Sequence, residues 1–229
     1  MIKDKLNRYL FTLIAFSAFS TSAQDLTNES VNLIEDVIVT ARRREEAAQS
    51  VPVAISVFSS DSLTNQNITT TDDLDNIAPN LSFFQDGAVG NATSIGIRGV
   101  GSSFTSSVRE PSVGVYVDGA YISRQQGNIF DLWDINRVEV IRGPQGTLFG
   151  RNNTTGAIQL VYNKPSEEVE GALKVGFGSR NLQSTSYMYN TPISNNFSLR
   201  LTGSNLSQQG HVLNTETSQM WGEKDMENN

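Results

Sequence analysis

The sequence predicts an α+β chain, a small mixed α/β domain followed by a run of antiparallel strands. Three observations predict it. Between Val51 and Val161, period-two apolar segments alternate with short, cappable helical segments. Inside that region, "EVIRGPQGTLFGRNNTTGAIQLV" sets two β-branched runs on either side of four glycines, Gly143, Gly146, Gly150 and Gly156. Beyond Glu167 helical periodicity ends and three dyad-repeat segments follow.

Lys3, Lys5 and Arg8 precede the apolar "YLFTLIAFSAF" and the small residues "STSA", with Thr21 and Ala23 at the −3 and −1 positions. That is the pattern of a secretory signal peptide over residues 1–23. The apolar run falls short of the roughly 20 residues that span a bilayer. A polar lead over residues 24–45 carries an extended β-branched stretch from Val37 and then a charge cluster. "VPVAISV" (51–57) alternates as a strand. "SSDSLTNQN" is a short helix capped by Ser60 or Asp61. "TTDDLDNIAPNL" is a second helix, with Thr71 as cap, Asp72 and Asp73 at its positive start, and Pro79 as its stop. "SIGIRG" (94–99) is a strand, and Asp118-Gly119 in "VGVYVDGAYIS" marks a hairpin. "IFDLWDI" suggests a short helix, and "RVEVIRG" the next strand, closing a domain over residues 46–166.

In "GALKVGFG", Leu173, Val175 and Phe177 share one face. In "QSTSYMYNT" Tyr187 and Tyr189 alternate with polar or small neighbours, and in "NFSLRLTGS" Phe197, Leu199 and Leu201 oppose Ser198, Arg200 and Thr202. Such strands suit a soluble sheet, or a barrel with lipid outside and water inside. Periodicity alone favours the soluble sheet.

Composition and motif tests exclude several functions. The formal charge of −7 argues against a nucleic-acid partner, and the absence of cysteine removes disulfides and thiolate metal sites. A P-loop fails because Leu148 and Arg151 stand five residues after Gly143 and Gly146. "GVGSSF" fails as a dinucleotide fingerprint at Phe104. The single histidine, His211, lies in a polar tail with no acid–base constellation around it, so no enzymatic activity, catalytic residue, metal site or cofactor is expected. The glycine crossing therefore reads as geometry, since glycine permits positive φ and close approach of another backbone.

These residues resemble the N-terminal part of a TonB-dependent outer-membrane receptor. "VEVIRGPQGTLFGRNNTTGAIQLV" resembles that family's plug signature, "IGIRG" and "VGVYVDGAYIS" its preceding strands, and "EDVIVTA" (35–41) its TonB box. The resemblance implies a plug folded inside a barrel of about 22 strands. It also implies an outer-membrane location, a small-molecule nutrient ligand and partnership with TonB and its inner-membrane energising complex. Glu35, Asp36, Val37, Ile38, Val39, Thr40 and Ala41 would then pair with TonB as an added strand. Family frequency favours a ferric siderophore as cargo, with cobalamin, a saccharide or another large nutrient as the alternative. A secreted, soluble β-rich binding or adhesion domain is the reading from another class.

Arg142 falls on the same strand face as Val138 and Val140, where a buried charge needs a partner. Plug arginines of the family pair with barrel-wall carboxylates, so Arg98 and Arg142 are candidates for a plug–barrel latch. By the same resemblance the outward loops carry Phe104, Arg109, Tyr121 and Arg124 as candidate ligand contacts. From Glu167 to Asn229 there are 63 residues, enough at about 10 residues per membrane strand for three strands and the start of a fourth. The expectation is therefore a truncated chain, residues 167–229 being the start of an incomplete transmembrane barrel with lipid outside.

Overall fold

The computed structural model describes residues 38–40, 44, 46–85, 92–101 and 110–210, together with the backbone of 212–213, 220–221 and 224–228. The signal-peptide segment, Phe104, Arg109 and His211 lie outside the described residues. All described residues fall in the unit Asp36–Asn229, apart from the unit Met1–Glu35.

Short strands β1 (Ile38–Val39) and β2 (Glu46–Ala47) pair antiparallel. They lead to β3 (Ala54–Ser59) and helix α1 (Ser60–Asn65), which is capped by the Ser59 side chain accepting from Ser62 N–H, one residue before the expected caps. Thr71–Asn76 forms a 3₁₀ turn rather than the expected α-helix. Leu74 within it and Ala78 just beyond it are nevertheless buried. Then follow β4 (Leu81–Gln85), β5 (Thr93–Ile97), β6 (Val113–Val117), β7 (Ala120–Ile122) and β8 (Ile135–Arg142). A single helical turn, α2 (Gly146–Phe149), and β9 (Gly156–Tyr162) complete the domain. The Asp118-Gly119 hairpin has φ of 47° and 84°, the left-handed pair a tight turn between twisted strands requires.

The helix expected in "IFDLWDI" does not form. The Asp131 side chain accepts from Trp133 N–H at 2.6 Å, Leu132 N–H donates to Thr69 O, and Asp134 is left-handed at φ 58°. The Asp131 side chain and the Thr69 carbonyl take two of the segment's backbone donors, and the left-handed Asp134 ends any helical path.

The core is a five-stranded sheet in the order β3-β8-β9-β6-β7, antiparallel except for the β6/β9 pair. Strand alternation divides its side chains between two cores. Val113, Val115, Val138, Val140, Ile158 and Leu160 enter the larger, with Leu74, Leu81 and Ile97 packed over them. Tyr116, Ile141 and Ala157 enter the smaller, covered by Val39, Val51 and Phe149.

Past a seven-residue connection, β10 (Glu170–Gly178), β11 (Leu182–Ser194) and β12 (Phe197–Gln208) form an antiparallel meander. Two further short strands, β13 (Val212–Leu213) and β14 (Met220–Trp221), precede β15 (Lys224–Asn228), which adds to the edge of β12. Leu173, Val175, Phe177, Tyr187, Tyr189, Phe197, Leu199 and Leu201 are all exposed, Phe177 at 81%. Among the described residues no second sheet packs on this apolar face.

The 3₁₀ turn is held by one carboxylate. Asp73 Oδ2 accepts from the N–H and hydroxyl of both Thr69 and Thr70 at 2.9–3.1 Å. Burial alone would raise its pKa, but these four bonds outweigh it and hold the carboxyl below the ordinary value. A carboxyl depressed in the folded state contributes stability above its unfolded pKa and loses it as pH falls through the folded value. Asp73→Ala is therefore expected to cost about 1–2 kcal/mol at pH 7. Urea unfolding should show that the difference from the parent shrinks below about pH 4.

Candidate functional site

The glycine crossing is a closed loop between two core strands. Gly143 N–H donates to Thr155 O, Gln145 N–H to Asn153 O, and Thr155 N–H to Ser112 O. Asn153, buried to 1%, donates to the Tyr116 hydroxyl at 2.8 Å and to Arg151 O at 2.7 Å, and Tyr116 donates in turn to Phe149 O. The four glycines have different physical roles. Gly143 and Gly150 sit at φ 100° and 84°, conformations that side chains disfavour. Gly156 has an ordinary conformation, but a Cβ there would collide with Ile141 O and lie 2.7 Å from Ile97 Cδ1. Gly146 has neither constraint.

The smaller core receives the N-terminal strand. Val39 is fully buried against it. Thr40 donates its N–H at 2.8 Å and its hydroxyl at 3.0 Å to Glu139 Oε1, which also accepts from Arg137 Nε at 2.8 Å. Gln159, paired across the sheet with Glu139, donates to the Thr40 hydroxyl at 2.7 Å. Glu139 is fully buried, and its Oε2 has no hydrogen-bond partner. The sequence placed residues 35–41 in a flexible lead. Ile38 and Val39 instead pair with β2, and Val39 and Thr40 dock on the sheet, while Glu35, Asp36, Val37 and Ala41 lie outside the described residues.

Arg98 and Arg142 bond to adjacent carbonyls, Arg98 through its N–H to Asn80 O and Arg142 through its guanidinium to Pro79 O. Arg142 Nη1 donates to Ser56 Oγ at 2.8 Å and Nη2 to Pro79 O at 3.1 Å. Burial first, and then the positive charge of Arg98, hold its pKa below the ordinary value. No carboxylate is paired with either among the described residues. Tyr121 does not extend into solvent: its ring lies 5.4 Å from that of Tyr116, and its hydroxyl accepts from Asn152 Nδ2. Arg124 is exposed.

A different contact joins the domain to the meander, and the sequence reading missed it. Arg200 on β12 donates to both oxygens of Asp134 at 2.7 and 2.6 Å and to Glu170 Oε2 at 3.1 Å. The Arg200 and Asp134 side chains are only 9% and 7% exposed. Glu170, Asn190 and Arg200 form one row across β10, β11 and β12, on the face opposite the apolar one. Trp133 Nε1 adds a bond to Tyr187 O at 2.9 Å. Charged and polar residues at alternate positions of an otherwise apolar segment were the available signal, but their partners are remote in sequence.

Removing one member of a buried ion pair strands the other. Arg200→Met is expected to cost about 3 kcal/mol in urea unfolding, with Arg200→Lys recovering only part because lysine cannot bind both oxygens.

Comparison with known proteins agrees with this architecture. The model of the TonB-dependent Receptor Plug Domain matches residues 47–157. The pesticin receptor of Yersinia pestis is 30% identical over 157 residues, covering 69% of this chain and 23% of that protein. A vitamin B12 transporter of Vibrio vulnificus is 26% identical over 166 residues, covering 72% of this chain and 27% of that protein. The crystal structure of the ferric yersiniabactin uptake receptor FyuA from Yersinia pestis superposes with a TM-score of 0.65 at 30% identity, over 75% of this chain and 27% of that one. The chain thus spans about a quarter of the curated relatives it matches.

Proposed function

The chain carries the plug domain of the TonB-dependent receptor family, and on that premise we propose that it supplies the plug and first wall strands of an outer-membrane receptor for energised uptake of a ferric siderophore. The observation that carries this reading is continuity. The five-stranded plug sheet passes, seven residues after β9, into a meander with apolar side chains outward and the polar row Glu170–Asn190–Arg200 on the opposite face, where Arg200 grips Asp134 of the plug. A soluble sandwich would cover Leu173, Val175 and Phe177, and lipid is the solvent their exposure suits. The relative whose printed name specifies a ferric chelate supports that cargo; cobalamin is the alternative on the same grounds. Arg98 and Arg142 would meet wall carboxylates, and Arg124 with Tyr121, Phe104 and Arg109 would contact ligand.

Ile38–Val39 and the flanking residues would add to a sheet edge of TonB, their main-chain groups supplying the affinity. Ile38 is exposed, so proline there removes a strand N–H without opening the core. Ile38→Pro is expected to reduce capture by the periplasmic domain of TonB at least tenfold in a pull-down, as loss of strand addition requires. Undiminished capture would remove this segment from the TonB interface.

A further inference from the structure

A cavity of about 250 Å³ opens beside the 3₁₀ turn, lined by Asp72, Asp73, Asp75, Phe83, Gln85 and Thr93 among others. Asp73 is occupied by its threonine bonds, Asp75 accepts from Asn76 N–H and the Asn76 amide donates to Asp73 O, but two lining atoms are left over. Asp72 Oδ1 is shut off from solvent without a hydrogen-bond partner. Thr93, across the cavity, is only 1% exposed, and its hydroxyl likewise has no partner. Two more buried acceptors on the adjoining segment, Gln125 Oε1 and Asn128 Oδ1, share that state. Thr93 N–H bonds to Gln125 O, and the Thr71 hydroxyl to Asn128 O, which keeps that segment alongside. Partial burial, then the charges of Asp72 and Asp73, raise the Asp75 pKa. No lysine, arginine or histidine is among the described lining residues.

The cavity thus presents the Asp72 and Asp75 carboxylates with no cation beside them, its neutral groups being the Asn76 and Gln85 carboxamides and the Thr93 hydroxyl. Acceptors shut away from water are costly unless a donor reaches them. A bare metal ion does not fit, because no group of three or more His, Cys, Asp or Glu among the described residues could hold one. The volume is several times the roughly 30 Å³ of a water, room enough for a planar cation on a side chain. The same plug already receives such a group at Asp134, which grips Arg200 of the wall through both oxygens.

We propose that the Asp72–Asp75–Thr93 cavity is a second seat for a wall cation: the guanidinium of an arginine from the wall beyond the strands described here. This rests on the plug-and-wall reading above. Asp72 and Asp75 supply charge, and the Thr93 hydroxyl supplies a neutral acceptor at the buried end.

The test titrates methylguanidinium into the full chain while following the carboxyl carbons of Asp72 and Asp75 by NMR, with sodium chloride at equal ionic strength as control. The expected result is saturable movement of both signals, with a fall in the Asp75 midpoint. Asp72→Asn should weaken binding about fivefold or more, because a charge-assisted bond is lost. Movement matched by sodium chloride, no saturable movement, or an unaltered response in Asp72→Asn would overturn the seat. So would calcium acting at concentrations far below methylguanidinium, which would assign a metal instead. None of these outcomes bears on TonB capture by the Ile38 segment, so failure here and failure of the receptor reading are separable.

Discussion

Valine at Gly156 is expected to prevent the plug from folding. The residue lies in β9 between β8 and β6, pairing with Arg142 on one side and Val113 on the other. Its hydrogen points at Ile141 O and the Ile97 side chain, leaving no room for a methyl group. The obstacle is a backbone carbonyl at the centre of the sheet, which cannot swing away as a side-chain tip could. Overpacking a close-packed interior typically costs 1–3 kcal/mol, and a collision with main chain in the central strand should exceed about 3 kcal/mol. Near-UV circular dichroism and urea unfolding would register it as loss of the cooperative transition. Gly146→Ala is the matched control: it meets nothing within 4 Å and begins a helical turn, so it should be neutral or stabilise by up to about 1 kcal/mol. If both variants unfold alike, the division of the signature glycines into packing and turn roles is wrong.

The second large effect is expected at Glu139. Its Oε1 gathers three donors, two from Thr40 and one from Arg137, in a place with no access to water. Glu139→Ala leaves the Arg137 guanidinium, 15% exposed, without its carboxylate, and leaves Thr40 with no acceptor. Loss of one partner from a buried ion pair typically costs 3–5 kcal/mol, and the partial exposure of Arg137 puts this case near about 3. The loss should be local first. Hydrogen exchange at Thr40 should rise before the β8 and β9 amides respond, since the docked strand is held by few bonds beyond the short β1/β2 pair.

How far the sequence reveals this molecule depends on whether a pattern is local. The Asp118-Gly119 hairpin, the β8 and β9 runs and the dyad strands announce themselves because period-two alternation and turn chemistry act over a few residues. The α+β class follows from those elements. "IFDLWDI" misled because its apolar spacing suits a helix, while the Asp131 side chain and the left-handed Asp134 decide otherwise. "LSFFQ", now β4, is too short to separate from the end of the preceding turn without its partner β5. The site residues divide likewise. Arg142 does continue the face of Val138 and Val140, yet what it meets, Ser56 and Pro79, lies 86 and 63 residues away. Thr40 with Glu139, and Asp134 with Arg200, join positions 99 and 66 apart, and no spacing rule connects them.

The docked strand and the proposed TonB strand are the same residues, so they cannot serve both at once. A partner that must bind the undocked form sees an affinity reduced by the fraction undocked. Glu139→Gln keeps the shape but removes the charge that shortens and strengthens the Thr40 bonds, worth about 1 kcal/mol, so the undocked fraction should rise about fivefold. Titrating the periplasmic domain of TonB against the parent chain and this variant tests the account most directly. Binding about fivefold tighter in Glu139→Gln, abolished again by Ile38→Pro, is the predicted result, in keeping with the fraction undocked. Equal affinity in parent and variant, or binding that survives the proline, would contradict it.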